Sequence, residues 1–191
     1  MDENLHILKI LSDIAETTFR TRRSSISRIE ASGFPEPNQN ELKKEIITPL
    51  NETIEYISNE IRSTLIMIPI YNFFLQRQKG VNIYDAAQLI SILEDINNFK
   101  TFGNLFSYSG FTPNAKRYNK KLHKLLLRMS YRLIKVNPQY QFVFDMNVQK
   151  YTDKYPDYPK NHVENMAKRI VIKKFLKNLY FSWNQINKED F

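Results

Sequence analysis

No cysteine occurs in the 191 residues, so the chain can hold no disulfide, thiol nucleophile or thiolate metal site. Glycine is scarce, with four in all, which argues against a loop-rich β fold. There is no run of roughly 18 apolar residues, and no cleavable leader is expected, because Lys9, Asp13 and Glu16 interrupt the first apolar stretch. His6, His123 and His162 lie in separate segments without metal-ligand spacing. These absences predict a soluble cytoplasmic protein without a membrane partner, a metal centre or a cofactor. The most informative absence is local: from Asn114 to Val136, 23 positions, there is no Asp or Glu.

What fills that segment is positive charge. It carries Lys116, Arg117, Lys120, Lys121, Lys124, Arg128, Arg132 and Lys135, while the whole chain has 28 Lys+Arg against 20 Asp+Glu, a balance of +8. The rest of the sequence is therefore neutral, and basicity is a property of one stretch. Positions 116, 120, 124, 128 and 132 advance by four and share one side of a helix, with 117 and 121 beside them. Leu122, Leu125, Leu126, Met129, Leu133 and Val136 occupy another side at steps of three and four, the stripe a helix buries. Like charges four residues apart cost about 0.2–0.5 kcal/mol per pair. Such a row favours an anionic partner over the plainer account of a solvated face.

The apolar fraction of 42% with 13% aromatics is enough for a real core, and the periodicities are helical throughout. An all-α chain in three segments is expected: residues 1–36, an N-terminal helix and a Pro/Gly hinge; residues 37–76, a long helix; residues 77–191, a helical binding domain. In the first helix either Leu5, Leu8 and Leu11 or Ile7, Ile10 and Ile14 can face inward. Its Arg20, Arg22, Arg23 and Arg28 read as a solvated face or a second anion-binding surface. From Glu41 to Gln76, Leu42, Ile46, Leu50, Ile54, Ile57, Ile61, Leu65 and Ile68 form a seam that fits either a folded-back first helix or a homodimer through residues 41–76. Pro49 reads as a fresh start behind Thr48 or as a kink, and Pro69 as a bend. Later come a short helix over 102–108, a short helix around 142–151, and a final helix over 161–187 whose Lys168, Arg169, Lys173, Lys174 and Lys177 would widen the basic face.

Between the long helix and the basic one lies a turn, Lys79-Gly80-Val81-Asn82, opening a helix at Ile83. The first N–H groups of a helix lack internal partners and sit at its positive end, so such a turn can hold a phosphate. Ala86 and Ala87 allow a second helix to come close. With no catalytic constellation in view, the residues expected to touch nucleic acid are Lys79, Gly80, Val81 and Asn82 in the turn and Lys116, Arg117, Lys120, Lys121, Lys124, Arg128 and Arg132 in the basic stretch.

The run from Gly80 to Ile90, then Asn98-Phe99-Lys100, then Leu105-Phe106-Ser107-Tyr108-Ser109-Gly110-Phe111-Thr112-Pro113, resembles the C-terminal domain of the DEDD insertion-sequence transposases. These are the pilin-gene-invertase relatives described as bridge-RNA-guided recombinases. Asn119 to Lys124, Asn137-Pro138 and Met166-Ala167-Lys168-Arg169 echo later elements, and the likeness covers about residues 45 to 183. It implies a helix-hairpin-helix domain that holds DNA. The chain departs from the family in three ways. No strand-borne acids of a RuvC-like domain occur in its first 76 residues, the loop bearing the family's catalytic serine is missing after Pro113, and Asn82 replaces the hairpin's second glycine. The expectation is thus a non-catalytic DNA-binding protein of helix-hairpin-helix type with little sequence specificity. Its alternatives are a recombinase subunit needing a partner nuclease domain, an RNA-binding protein, and a structural or assembly protein acting through the long helix.

Overall fold

The computed structural model describes residues 3–113 and 116–189, and these are helical with no strand among them. The first two helices, α1 (Glu3–Glu30) and α2 (Glu36–Ile66), run antiparallel along one another. Cross-links such as Arg22 Nε to Asn51 Oδ1 (2.6 Å) and Lys43 Nζ to Glu30 Oε1 (3.3 Å) join them. The reversal is made at Ser32-Gly33. Gly33 takes φ +72°, Ser32 Oγ donates to Ile29 O at 2.7 Å, and Pro35 and Pro37 set the entry to α2. The first helix thus folds back on the second as one of the two expected packings. The Leu5, Leu8 and Leu11 register faces inward, with Leu8 fully buried, while Ile7, Ile10 and Ile14 stay exposed.

The long helix departs from expectation in two places. It ends at Ile66 instead of running to Gln76. Of the two readings of Pro49 the fresh start is excluded, since the helix continues through it and Thr53 Oγ1 donates to Pro49 O at 2.9 Å. In its first half Ile47 is buried and Ile46 is exposed, so the expected seam holds only from Ile57 through Ile61, Leu65 and Ile68. The cause lies in the partner, because beyond residue 54 α2 leaves the two-helix arm and enters the body, where apolar surface surrounds it. Pro69 then starts α3 (Pro69–Phe73), followed by a single 3₁₀ turn at Leu75–Arg77.

Next come α4 (Ile83–Leu93), a 3₁₀ turn at Ile96–Asn98, α5 (Phe102–Tyr108), α6 (Lys120–Val136), α7 (Pro138–Lys154) and α8 (Lys160–Glu189). Side chains start several of these helices. Asn82, Thr101, Asn119 and Asn137 each accept a hydrogen bond from a backbone N–H of the first turn that follows. Asn137 caps α7 and Pro138 occupies its first position, so one Asn-Pro pair ends α6 and opens α7. The helix expected at 142–151 is therefore longer at both ends. Short α4 sits centrally and touches α1, α2 and α6, with Ala86 and Ala87 wholly buried as their size foretold. One apolar cluster runs from Leu8 through Ile61, Leu89, Leu126 and Tyr140 to Trp183, joining all three sequence segments. No helix among the described residues is long and apolar enough to cross a membrane.

Candidate nucleic-acid interface

The basic helix has the two faces its spacing called for. Leu122, Leu125, Leu126, Met129 and Leu133 are buried, with Val136 half exposed at the end, and Lys120, Lys121, Lys124 and Arg128 are exposed. Lys116 and Arg117 do not join that row. The helix begins at Lys120 behind the Asn119 cap, so both precede it in irregular backbone, while Asn114 and Ala115 lie outside the described residues. Aromatic packing holds this approach in place. Gly110 has φ +78°, and a Cβ there would meet the Tyr118 ring at 2.5 Å. Asn119 donates through its backbone N–H to Tyr108 O (2.9 Å) and through Nδ2 to Tyr108 Oη (2.7 Å).

The turn Lys79 to Asn82 lies against the far end of the same helix. Gly80 takes φ +100°, and a Cβ would stand 3.0 Å from Arg132 C and O and from Leu133 Cα. Its lack of a side chain lets the turn lie on the α6 backbone, a role the sequence did not single out. Val81 donates its N–H to Gln78 O at 3.0 Å and packs on the core, and Lys79 is exposed. Asn82 Oδ1 accepts from the Asp85 N–H at 2.8 Å. Turn and basic helix therefore meet at Arg132 and diverge towards Lys120.

The acids absent from the basic stretch come from elsewhere in the fold. Asp85, with 1% of its side chain exposed, faces α6 from the first turn of α4. Its Oδ1 lies 3.1 Å from Arg128 Nη2, and its Oδ2 accepts from Arg132 Nη2. Arg128 Nη2 also donates to Gln88 Oε1 (2.8 Å), Gln88 Nε2 donates to Glu16 Oε2 (3.4 Å), and Arg20 Nη2 pairs with Glu16 Oε1 (3.2 Å). A polar chain thus crosses from α1 through α4 to α6. Nearer the start of α6, Lys121 Nζ lies 3.5 Å from Asp13 Oδ1, and Lys9 Nζ lies 3.4 Å from Glu94 Oε1. Among the described residues Lys120 and Lys124 have no ion pair.

These groups line one groove between α1, α4 and α6, with two compartments that share Ser12, Glu16, Gln88 and Arg128. One holds Lys120, Lys121 and Lys124, and the other holds Arg20, Arg23 and Arg132. Eight cations face four carboxylates across the whole groove, so it stays positive after internal pairing. Lys168, Arg169, Lys173, Lys174 and Lys177 of α8 do not line it. Lys168 pairs with Glu164 and covers Tyr131, Lys173 lies over Phe106, Lys177 over Phe181, and Arg169 donates to Phe111 O. Among the described residues no group of three or more His, Asp or Glu side chains could gather a metal ion. Comparison with protein-family models, curated proteins and solved structures finds no match.

Sequence reading missed Asp85 as the partner of Arg128 and Arg132. A signal was present: an acid at the third position of a helix whose other residues are mostly apolar. It also missed the acids that α1 brings to the groove, which only the fold-back of that helix could reveal.

Proposed function

We propose that the chain is a non-catalytic DNA-binding protein whose groove along α6 holds the phosphate backbone of a duplex, a role in keeping with the transposase-domain likeness of its sequence. The observation that carries this reading is the positive excess along α6, where Lys120 and Lys124 are exposed and, among the described residues, form no ion pair, with the exposed Lys116 and Arg117 in the chain just before the helix. From Lys120 to Arg132 the helix spans about 18 Å at 1.5 Å per residue, an axial length over which one strand of a duplex presents about five phosphates. In this reading α3, the Gly80 turn and α4 make the helix-hairpin-helix. Contacts of this kind read charge and shape, so sequence preference is small.

Cations already held by Asp13 and Asp85 exchange one carboxylate for a phosphate and release few ions. The salt dependence then counts about four or five phosphates, giving a log–log slope of roughly −4. Fluorescence polarisation of a labelled duplex at several salt concentrations tests this. Micromolar binding that weakens with that slope and disappears in a Lys120→Glu, Lys124→Glu double variant is the expected result, and a flat response to salt would refute it. Structured RNA in the same titration separates duplex types, since the A-form groove offers different contacts.

A second reading draws on the exposed row Ile7, Ile10 and Ile14 of α1, which suits an assembly protein that buries this face in a copy of itself. Light scattering across a concentration series checks it: a mass that stays monomeric to high concentration excludes self-association.

A further inference from the structure

The arginine end of the groove carries an observation that duplex binding alone does not require. Among the described residues, the two buried side-chain polar atoms without a hydrogen-bond partner are Ser12 Oγ and Arg132 Nε. Both residues line this same compartment, and Ser12 is 5% exposed. Buried polar groups are nearly always satisfied in folded chains, and an exception marks a place that awaits water, an ion or a ligand. Both atoms are donors, so the missing partner is an acceptor.

The surrounding charge narrows its chemistry. Arg20 and Arg23 from α1 meet Arg128 and Arg132 from α6 here, against Asp85 and Glu16. Four guanidiniums facing two carboxylates leave two positive charges. The start of α4, at Asn82 and Tyr84, forms the floor and adds the positive end of a helix. Asp85 holds the heads of Arg128 and Arg132 on the α6 side, and Glu16 holds Arg20 on the α1 side. Guanidinium forks on two walls suit a compact, multi-oxygen anion better than a single carboxylate. A backbone phosphodiester carries one negative charge, whereas a phosphate monoester carries about −1.5 to −2 at neutral pH.

We infer that the compartment between α1, α4 and α6 is a site for a phosphate monoester dianion, gripped by Arg20, Arg23, Arg128 and Arg132 with Ser12 as an additional donor. The source of that group is either the phosphorylated end of a nucleic-acid strand or a free small phosphate. The first source rests on the DNA-binding reading above, and the second does not.

Three titrations on the full chain separate these cases: inorganic phosphate followed by calorimetry, a labelled duplex with a 5′-phosphate, and the same duplex with a 5′-hydroxyl. Each is repeated with Ser12→Ala and with Arg23→Gln, which change a near-isosteric buried group and an exposed one, and whose melting curves verify folding. A strand-end site predicts that the 5′-phosphate tightens binding about tenfold or more. Both variants remove that gain, so that in each of them the 5′-phosphate duplex binds no more tightly than the 5′-hydroxyl duplex measured with the same variant. A small-phosphate site predicts one-to-one binding of inorganic phosphate, weakened in both variants, with no difference between the two duplex ends. If phosphate does not bind and the two ends bind equally, or neither duplex binds, the site is refuted. Loss of duplex binding with phosphate binding intact refutes only the DNA-binding reading.

Discussion

Two residues show how closely single positions are constrained. Gly80 combines a left-handed φ with contact to the α6 backbone, so neither defect of a larger residue can relax independently. Gly80→Ala should cost about 1–3 kcal/mol, read as a fall in melting temperature of roughly 2–4 °C per kcal/mol for a chain of this size. Tyr140 is fully buried beside Phe175, its hydroxyl 3.4 Å from Gln78 Oε1. Burial pushes its phenol from 10.0 up to about 12, against a smaller opposing effect of a bond to Asn178. The folded state thus favours the neutral form. Its contribution is fully present below pH 10 and is lost as the pH rises towards 12, because the unfolded chain ionises first. Over that window the loss amounts to about 2–3 kcal/mol. Tyr140→Phe should therefore flatten the fall in urea midpoint between pH 10 and 12, whatever it costs at neutral pH.

At the level of elements, the basic helix is stabilised by what packs against it. Its apolar stripe was readable because burial follows a 3.6-residue period that needs no partner to be recognised: Leu122, Leu126, Met129 and Leu133 fall where the spacing put them. Its electrostatics were not, because Asp13, Glu16 and Asp85 approach from helices distant in sequence. The same difference explains Lys116 and Arg117. Periodicity carried the row past Asn119, whereas the Asn119 cap and the ring contacts of Tyr118 end the helix there. In α8, Val163, Ala167, Leu176 and Leu179 are buried at helical spacing, and Val171, Ile172 and Phe175 are buried with them because α7, α6 and α3 cover more than one side. Asp85→Asn tests the join between α4 and α6. The arginine side chains are 54% and 37% exposed, which tempers the penalty for unpairing them, and a loss of about 1–3 kcal/mol in urea unfolding is expected. The same variant removes one negative charge from the groove and should bind duplex DNA more tightly, in polarisation titrations, despite being less stable.

Across the whole molecule, stability is graded from the body to the tip of the α1–α2 arm. The body buries α8 at Val171, Ile172, Phe175, Leu176 and Leu179, whereas the last two turns of α1 and the first four of α2 bury only Ile29 and Ile47. Backbone amides between residues 20 and 50 should therefore exchange with solvent well before those of α6 and α8, a contrast that hydrogen-exchange mass spectrometry reads directly. At the tip, Gly33 has no atom near the place a Cβ would take, and Phe34 is half exposed. From Arg23, the last α1 residue that lines the groove, to Ser32 the chain advances about 13 Å, which carries the tip beyond the groove. A short peptide tag or dye-bearing loop spliced in after Phe34 would thus ride on a mast, remote from ligand and core alike, and would let binding be watched without touching the surface that binds.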